Sequence, residues 1–273
     1  LLSNSVLNYL GQHFLKNKSA VEKIIKALEL KEGDVVVEVG PGRGALTMPI
    51  ANDNWLRSNK SEFIAVEKDK KLAQELELEI KNYELGTKIK IINDDILKIL
   101  PILNSKFLMR DSQFKLVGNI PYYLTGFLFR IIGELEHKPS LIVFTIQKEV
   151  AERICARPPK MNLLAASVQI WADPEILDVL PPSDFQPPPK VDSTIIRLRT
   201  KNYELEVRNY EHYYKLIKII FKQPRKTLLN NLSEGFNLPK EKIVKKLAEL
   251  NLTDKERGQN LTVEQLQRLA TLF

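Results

Sequence analysis

The chain has 273 residues, 44% of them hydrophobic, with a formal net charge of +7, enough to bury a sizeable core in one large domain with an appendage or in two unequal domains. No run approaches the roughly 18–20 uninterrupted apolar residues of a membrane span, and the first residues lack a basic start followed by an apolar stretch, so neither membrane insertion nor export is expected. The single Cys155 excludes an internal disulfide framework, and His13, His137 and His212 lack zinc-ligand spacing; no metal is expected, and a reducing cytoplasm suits the chain.

Taken in order, the first helix is entered through Ser19-Ala20-Val21-Glu22, a capping-box spacing. Short runs rich in Val, Ile and Phe follow at Asp34 to Val39, Glu62 to Glu67, Lys88 to Ile92, Phe114 to Gly118 and Leu141 to Ile146, as buried parallel strands require. Helical patterns fall between or after them at Ala45 to Asn52, Asp69 to Tyr83, Leu124 to Glu136 and Lys148 to Arg157. This alternation argues for an open parallel sheet covered by helices, with ligands beyond the carboxyl ends of the strands.

Two further strands, near Glu175 to Leu180 and Val191 to Leu198, flank a proline-rich connection and are expected to add an antiparallel edge hairpin. Beyond Thr200 the pattern is helical: Tyr210 to Phe221, Pro224 to Ser233, Lys240 to Leu250 and Thr262 to Leu272. A boundary near Asn202 gives domains of 1–201 and 202–273. Residues 1–196 carry 25 Lys and Arg against 25 Asp and Glu, whereas 197–273 carry 16 against 9, so the excess positive charge lies in the tail. Clustered cations attract phosphates, which favours a nucleic-acid grip over an ordinary solvated surface.

Glu38-Val39-Gly40-Pro41-Gly42-Arg43-Gly44 stands where the first parallel strand hands over to a helix. Glycines there allow a sharp turn and close approach to a ligand. The spacing is G-x-G-x-G with an acid just upstream, unlike the G-x-G-x-x-G of a pyrophosphate cradle, and the acid suits a methionine ammonium better than a pyrophosphate. Glu67, ending the next strand, can accept from ribose hydroxyls; Asp95 in Asn93-Asp94-Asp95-Ile96 can accept from an adenine amino group. Singly, each acid also reads as a helix cap; recurrence after successive strands favours a nucleoside site, and hence S-adenosylmethionine.

Gly118-Asn119-Ile120-Pro121-Tyr122 follows the fourth strand. The amino nitrogen of adenine is a poor nucleophile because its lone pair is delocalised, and acceptors from the Asn119 side chain and the Ile120 carbonyl would favour a more tetrahedral nitrogen. Pro121 fixes the turn and Tyr122 offers a stacking face for an extruded base, with Phe144 a candidate for the opposite face. Carbon methylation of a pyrimidine would call for a nucleophilic Cys near this turn, and Cys155 lies elsewhere in a helical stretch.

With these residues in view, the chain resembles the KsgA-type ribosomal RNA adenine dimethyltransferase family over nearly its full length. The resemblance rests on Leu10-Gly11-Gln12-His13-Phe14-Leu15, Val37 to Thr47, Glu67, Asp95, Asn119-Ile120-Pro121-Tyr122, Phe144 with Gln147 to Ala151, Phe185 with Pro187 to Ser193, and Phe221 to Leu228. It implies a Rossmann-like class I methyltransferase sheet with a small all-α C-terminal domain. It implies a cofactor site at Gln12, His13, Leu15, Gly40, Gly42, Glu67, Lys68, Asp95, Ile96 and Asn119, with Asn119, Pro121, Tyr122 and Phe144 holding the adenine. Lys190, Lys222, Arg225 and Lys226 are the expected RNA-contacting cations. The implied reaction is dimethylation at N6 of two adjacent adenosines in a hairpin loop near the 3' end of small-subunit ribosomal RNA during ribosome biogenesis, by a monomeric cytoplasmic enzyme.

His13 stands where the family often has Asn, Gly126-Phe127 replaces a more usual Ser or Thr followed by Pro, and Arg157 to Asn162 lacks a familiar Tyr-Gly. Two other readings stay open: a resistance-type enzyme acting on large-subunit RNA, and a ribosome-assembly or transcription factor in which RNA binding matters more than methyl transfer. A nicotinamide-dependent oxidoreductase is disfavoured by the glycine spacing.

Overall fold

The computed structural model describes residues 12–81, 88–109, 113–201 and 210–273. Leu10 and Gly11 of the amino-terminal motif, and the boundary expected at Asn202, lie outside them.

The strands form where β-branched residues run together. Strand β1 is Phe14–Leu15, β2 Val35–Val39, β3 Glu62–Glu67, β4 Ile89–Asn93, β5 Phe114–Asn119, β6 Leu141–Gln147, β7 Ala172–Leu180, β8 Phe185–Gln186 and β9 Ser193–Thr200. Every residue of β2 is buried, as befits a central strand covered on both faces. The larger sheet has the order β4-β3-β2-β5-β6-β9-β7. Its first five members are parallel neighbours, and β9 runs antiparallel to β6 with Phe144 opposite Ile196. After β4 the chain returns to lay β5 beside β2, so the order reverses between those two strands. A crevice opens at such a switch point, beyond the carboxyl ends. It receives the glycine loop from β2 and the Asn-Ile-Pro-Tyr turn from β5. Gly118 permits their close approach, since a Cβ there would lie 2.5 Å from the Val39 carbonyl oxygen.

Helices α1 (Lys18–Ala27), α2 (Thr47–Ala51), α3 (Lys70–Ile80), α4 (Ile96–Met109), α5 (Thr125–Glu134) and α6 (Lys148–Ile154) alternate with these strands. Two details differ from expectation. The cap of α1 is Asn17, whose side chain accepts from the Ala20 N–H, so Ser19 lies inside the first turn and the capping box is not formed there. Helix α4 occupies a stretch with no helix anticipated and carries Pro101 inside it. A second, two-stranded sheet pairs β1 with β8, matching Phe14 with Gln186 and Leu15 with Phe185.

Contacts divide the chain into two units, Leu1–Ala151 with Pro174–Thr200, and Glu152–Asp173 with Lys201–Phe273. A single cut at 201 is therefore corrected: 152–173 groups with the helical tail. The second unit contains α7 (Leu163–Gln169), α8 (Tyr210–Ile220), α9 (Leu228–Phe236), α10 (Lys240–Glu249) and α11 (Val263–Ala270). The reason lies in α8, whose fully buried Tyr213 donates to the Ala166 carbonyl at 3.0 Å while Tyr214 donates to that of Ser167. Helix α11 carries the expected capping box, Thr262 and Gln265 bonding reciprocally.

Candidate active site

The glycine loop turns through left-handed backbone at Gly40 (φ +64°), Gly42 (φ +57°) and Gly44 (φ +77°), a region that side chains other than glycine rarely adopt. Gly42 also has no room for a Cβ, which would meet the Phe14 ring at 2.9 Å. The loop is stitched to the end of β3. Gly40 N–H donates to the Val66 carbonyl at 2.9 Å, and Gly42 N–H donates to Glu67 Oε2 at 2.9 Å. Glu67 Oε1 takes the Asp69 N–H at 2.8 Å. Burial raises the Glu67 carboxyl above its ordinary range, against the lowering effect of these N–H groups. Both oxygens keep a second lone pair for a hydroxyl.

Glu38 is buried one strand away and accepts from Thr47 Oγ1 at 2.7 Å. Desolvation pushes its pKa up to about 8, only partly offset by the Thr47 bond and reinforced by Glu67. Burial thus favours the neutral carboxyl, and an ammonium placed beside it would act in the opposite direction.

Beyond β4, Asp95 Oδ2 accepts from Lys68 Nζ at 2.9 Å and Oδ1 from the Leu97 N–H at 3.0 Å. Burial works to raise the Asp95 pKa, but the Lys68 bond, the Leu97 N–H and the charges of Lys68 and Lys98 together leave it lowered. Asn93 ties the neighbouring strand ends by donating to the Glu67 carbonyl at 2.9 Å.

The turn after β5 is held from the other side. Asn119 Nδ2 donates to the His13 carbonyl at 2.6 Å. The His13 ring in turn donates from Nδ1 to the Pro187 carbonyl at 2.8 Å, since a carbonyl has no proton to give. Tyr122 Oη and Ser193 Oγ share a hydrogen bond of 2.8 Å, and the Tyr122 ring lies 5.7 Å from that of His13. Burial raises the Tyr122 phenol pKa, opposed by Ser193. The β1–β8 ladder sets this arrangement by carrying 12–15 across the glycine loop, where the Arg43 guanidinium covers the Phe14 ring at 4.8 Å.

Glu38, Gly40, Gly42, Glu67, Asp95, Asn119 and Tyr122 face one open cavity. It is lined by Gln12, His13, Leu15, Gly40 and Gly42, by Glu67, Lys68, Asp95 and Ile96, and by Asn119, Pro121 and Tyr122. Phe144 is the exception. It is fully buried on β6 and packs edge-on against Phe129, with ring centroids 6.0 Å apart; it does not line the cavity. Its neighbour across the parallel pair is Gly118, one residue before the turn. Phe14 and Phe185 do line the cavity, Phe185 with only 1% of its surface exposed, and both sit on the short β1–β8 pairing. The sequence signal for Phe185 is its place just before Pro187-Pro188-Pro189, which by itself assigns no role.

The four expected RNA-contacting cations are exposed and none lines the cavity. Lys190 belongs to the first unit, and Lys222, Arg225 and Lys226 to the second. Lys222 and Lys226 both pair with Glu234, at 3.7 and 3.1 Å. Among the described residues no cluster of His, Cys, Asp or Glu is arranged to hold a metal ion, and no helix is long and apolar enough to cross a membrane.

A parallel sheet with a left-handed glycine loop after its first long strand, acids at the ends of the next two and a carboxamide turn after the fourth defines a class I methyltransferase fold. Residues 4–273 match the family described as ribosomal RNA adenine dimethylase, and the chain belongs to that family. It is 36% identical over 97% of its length, and 87% of the relative's, to a protein of Dehalococcoides mccartyi named ribosomal RNA small subunit methyltransferase A. A protein of the same name from Lachnoclostridium phytofermentans is 37% identical, covering 96% of this chain and 90% of that one. Among solved structures, a dimethyladenosine transferase from Plasmodium falciparum superimposes with a TM-score of 0.75 at 24% identity, over 94% of this chain and 96% of the other. The 23S rRNA methyltransferase ErmE gives a TM-score of 0.70 at 22% identity, over 95% and 98%, a likeness of fold alone.

Proposed function

We propose that this chain uses S-adenosylmethionine to dimethylate N6 of two adjacent adenosines in a hairpin loop near the 3' end of small-subunit ribosomal RNA, as a monomeric cytoplasmic enzyme of ribosome biogenesis. The observation that carries this reading is the orientation of Asn119. With Nδ2 committed to the His13 carbonyl, Oδ1 is the atom left to accept, and Asn119 lines the cavity that also holds the glycine loop.

The residues fit the cofactor. Gly40 has no atom within 4 Å of the place its Cβ would take, leaving the loop open toward a ligand. Glu67 can accept from a ribose and Asp95 from an adenine amino group. When bound, the cofactor supplies an electrophilic methyl on a sulfonium. Asn119 Oδ1 and the Ile120 carbonyl then each take one hydrogen of the target amino group, which concentrates the lone pair on nitrogen. Tyr122, beside the turn, offers a face to the base so that the nitrogen is aimed, and orientation supplies much of the rate. No strong base is needed: the nitrogen turns acidic as it gains its methyl, and its proton passes to water.

Lys222, Arg225 and Lys226 are assigned to RNA phosphates on the basis of their exposure and the basic tail, and Lys190 on its exposure and the family resemblance. Small-subunit RNA is preferred to large-subunit RNA because the names of the 36–37% identical relatives point there.

The test is to incubate the protein and labelled cofactor with unmethylated small subunits, large subunits and naked RNA, and to map the products. Label in paired neighbouring adenines of the small-subunit RNA is expected. Label confined to large-subunit RNA, or none on any substrate, overturns the assignment.

A further inference from the structure

From the cavity mouth a single exposed stripe runs along the outside of α5. The short 3-10 turn Tyr122–Leu124 continues into this helix, and the buried side of the combined segment is Leu124, Thr125, Leu128, Phe129 and Ile132. The opposite side carries Tyr123, Gly126, Phe127 and Arg130, residues three and four apart that share one face. Tyr123 and Phe127 are 53% and 56% exposed, and the Arg130 side chain is 69% exposed. Tyr123 itself lines the cavity, so the stripe begins at the site. Between the two rings, Gly126 has nothing within 4 Å of a Cβ position, which leaves the approach flat and open.

Single exposed apolar residues are ordinary on a protein surface. Two aromatics and a cation in line with a catalytic opening are a different matter, because π-faces and a guanidinium match the bases and phosphates of an unpaired strand. Among the described residues Arg130 has one acidic partner, Glu134, at a loose 3.8 Å. Such an exposed pair contributes little and exchanges readily for a phosphate.

Building on the proposed RNA substrate, we infer that Tyr123, Phe127 and Arg130 form a platform for the unpaired nucleotide next to the extruded adenine: its base stacks on Phe127 and its phosphate meets Arg130. Phe127 and Arg130, which do not line the cavity, set affinity for RNA and take no part in binding the cofactor.

The experiment measures KM and kcat on unmethylated small subunits for Phe127→Ala, Phe127→Tyr and Arg130→Ala, with cofactor affinity measured separately. A Phe127→Trp variant is titrated with a short single-stranded RNA, the native Trp55 and Trp171 being buried. Phe127→Ala is expected to raise KM about tenfold, the loss of one stacked base, with kcat and cofactor affinity unchanged. Phe127→Tyr restores KM, and RNA quenches the emission of the indole introduced by Phe127→Trp. A KM within twofold of wild type for Phe127→Ala overturns the inference. So does weaker subunit binding without quenching by RNA, which would mark a protein-docking face. Wild-type activity on small subunits reports separately on the proposed reaction, and the quenching titration stands whatever that activity is.

Discussion

Asn119 donates through Nδ2 to the backbone carbonyl of His13 across 2.6 Å, joining the turn after β5 to the segment that crosses the glycine loop. The bond decides which end of the carboxamide faces a substrate. Replacing Asn119 by Ala removes the acceptor, and kcat is expected to fall about a hundredfold to a thousandfold, with a much smaller change in cofactor affinity. Asn119→Asp keeps an acceptor yet has no N–H for His13, so two oxygens oppose each other. Its kcat should fall as far as that of the Ala variant. Near-wild-type turnover in Asn119→Asp would show that the anchoring bond plays no part.

Glu67 receives backbone N–H groups on both oxygens, from Gly42 and Asp69. In Glu67→Gln an amide must point N–H at N–H on one side, stranding a buried donor at a cost of about 1–3 kcal/mol. Titration calorimetry on this variant should show cofactor affinity reduced at least tenfold, because Gly42 loses the tether that sets the loop. Unchanged affinity would mean the loop keeps its shape without this carboxylate.

Glu38 gives the protein a specific pH dependence. Its folded-state pKa is raised from 4.5 to about 8, so the folded chain holds a proton that the unfolded chain releases. Its contribution to stability is fully present below pH 4.5 and is lost as pH rises to about 8. Glu38→Gln removes that loss. Denaturant unfolding should find the variant gaining on wild type progressively across this window, and a stability difference independent of pH would refute the assignment. Glu67, raised in the same direction, leaves a residual slope in both proteins.

Much of the fold is legible because its causes are local. The Val-rich run of β2, the glycines after it and the capping box of α11 each act within a few residues. What escapes notice depends on partners distant in sequence. Phe144 looks like any aromatic near a ligand until the β6–β9 register encloses it, and Phe185 acquires its place only through pairing with Leu15. Helix α4 is hidden by Pro101, whose ring normally ends a helical pattern. The affiliation of 152–173 with the tail turns on Tyr213, whose partner Ala166 lies 47 residues earlier, and no pattern within the segment announces it.

Lys222 and Lys226, expected to hold RNA alongside Arg225, already share Glu234, whereas Arg225 forms no ion pair among the described residues. The three cations should therefore respond differently. Arg225→Ala is expected to weaken RNA binding and reduce the slope of log affinity against log salt by about 1. Lys226→Ala should matter less, since part of its charge is spent on the carboxylate. Glu234→Gln frees both lysines and should tighten binding and steepen the slope. These follow from filter binding across a salt series, and slopes that stay parallel in all three variants would return this part of the second unit to an ordinary solvated surface.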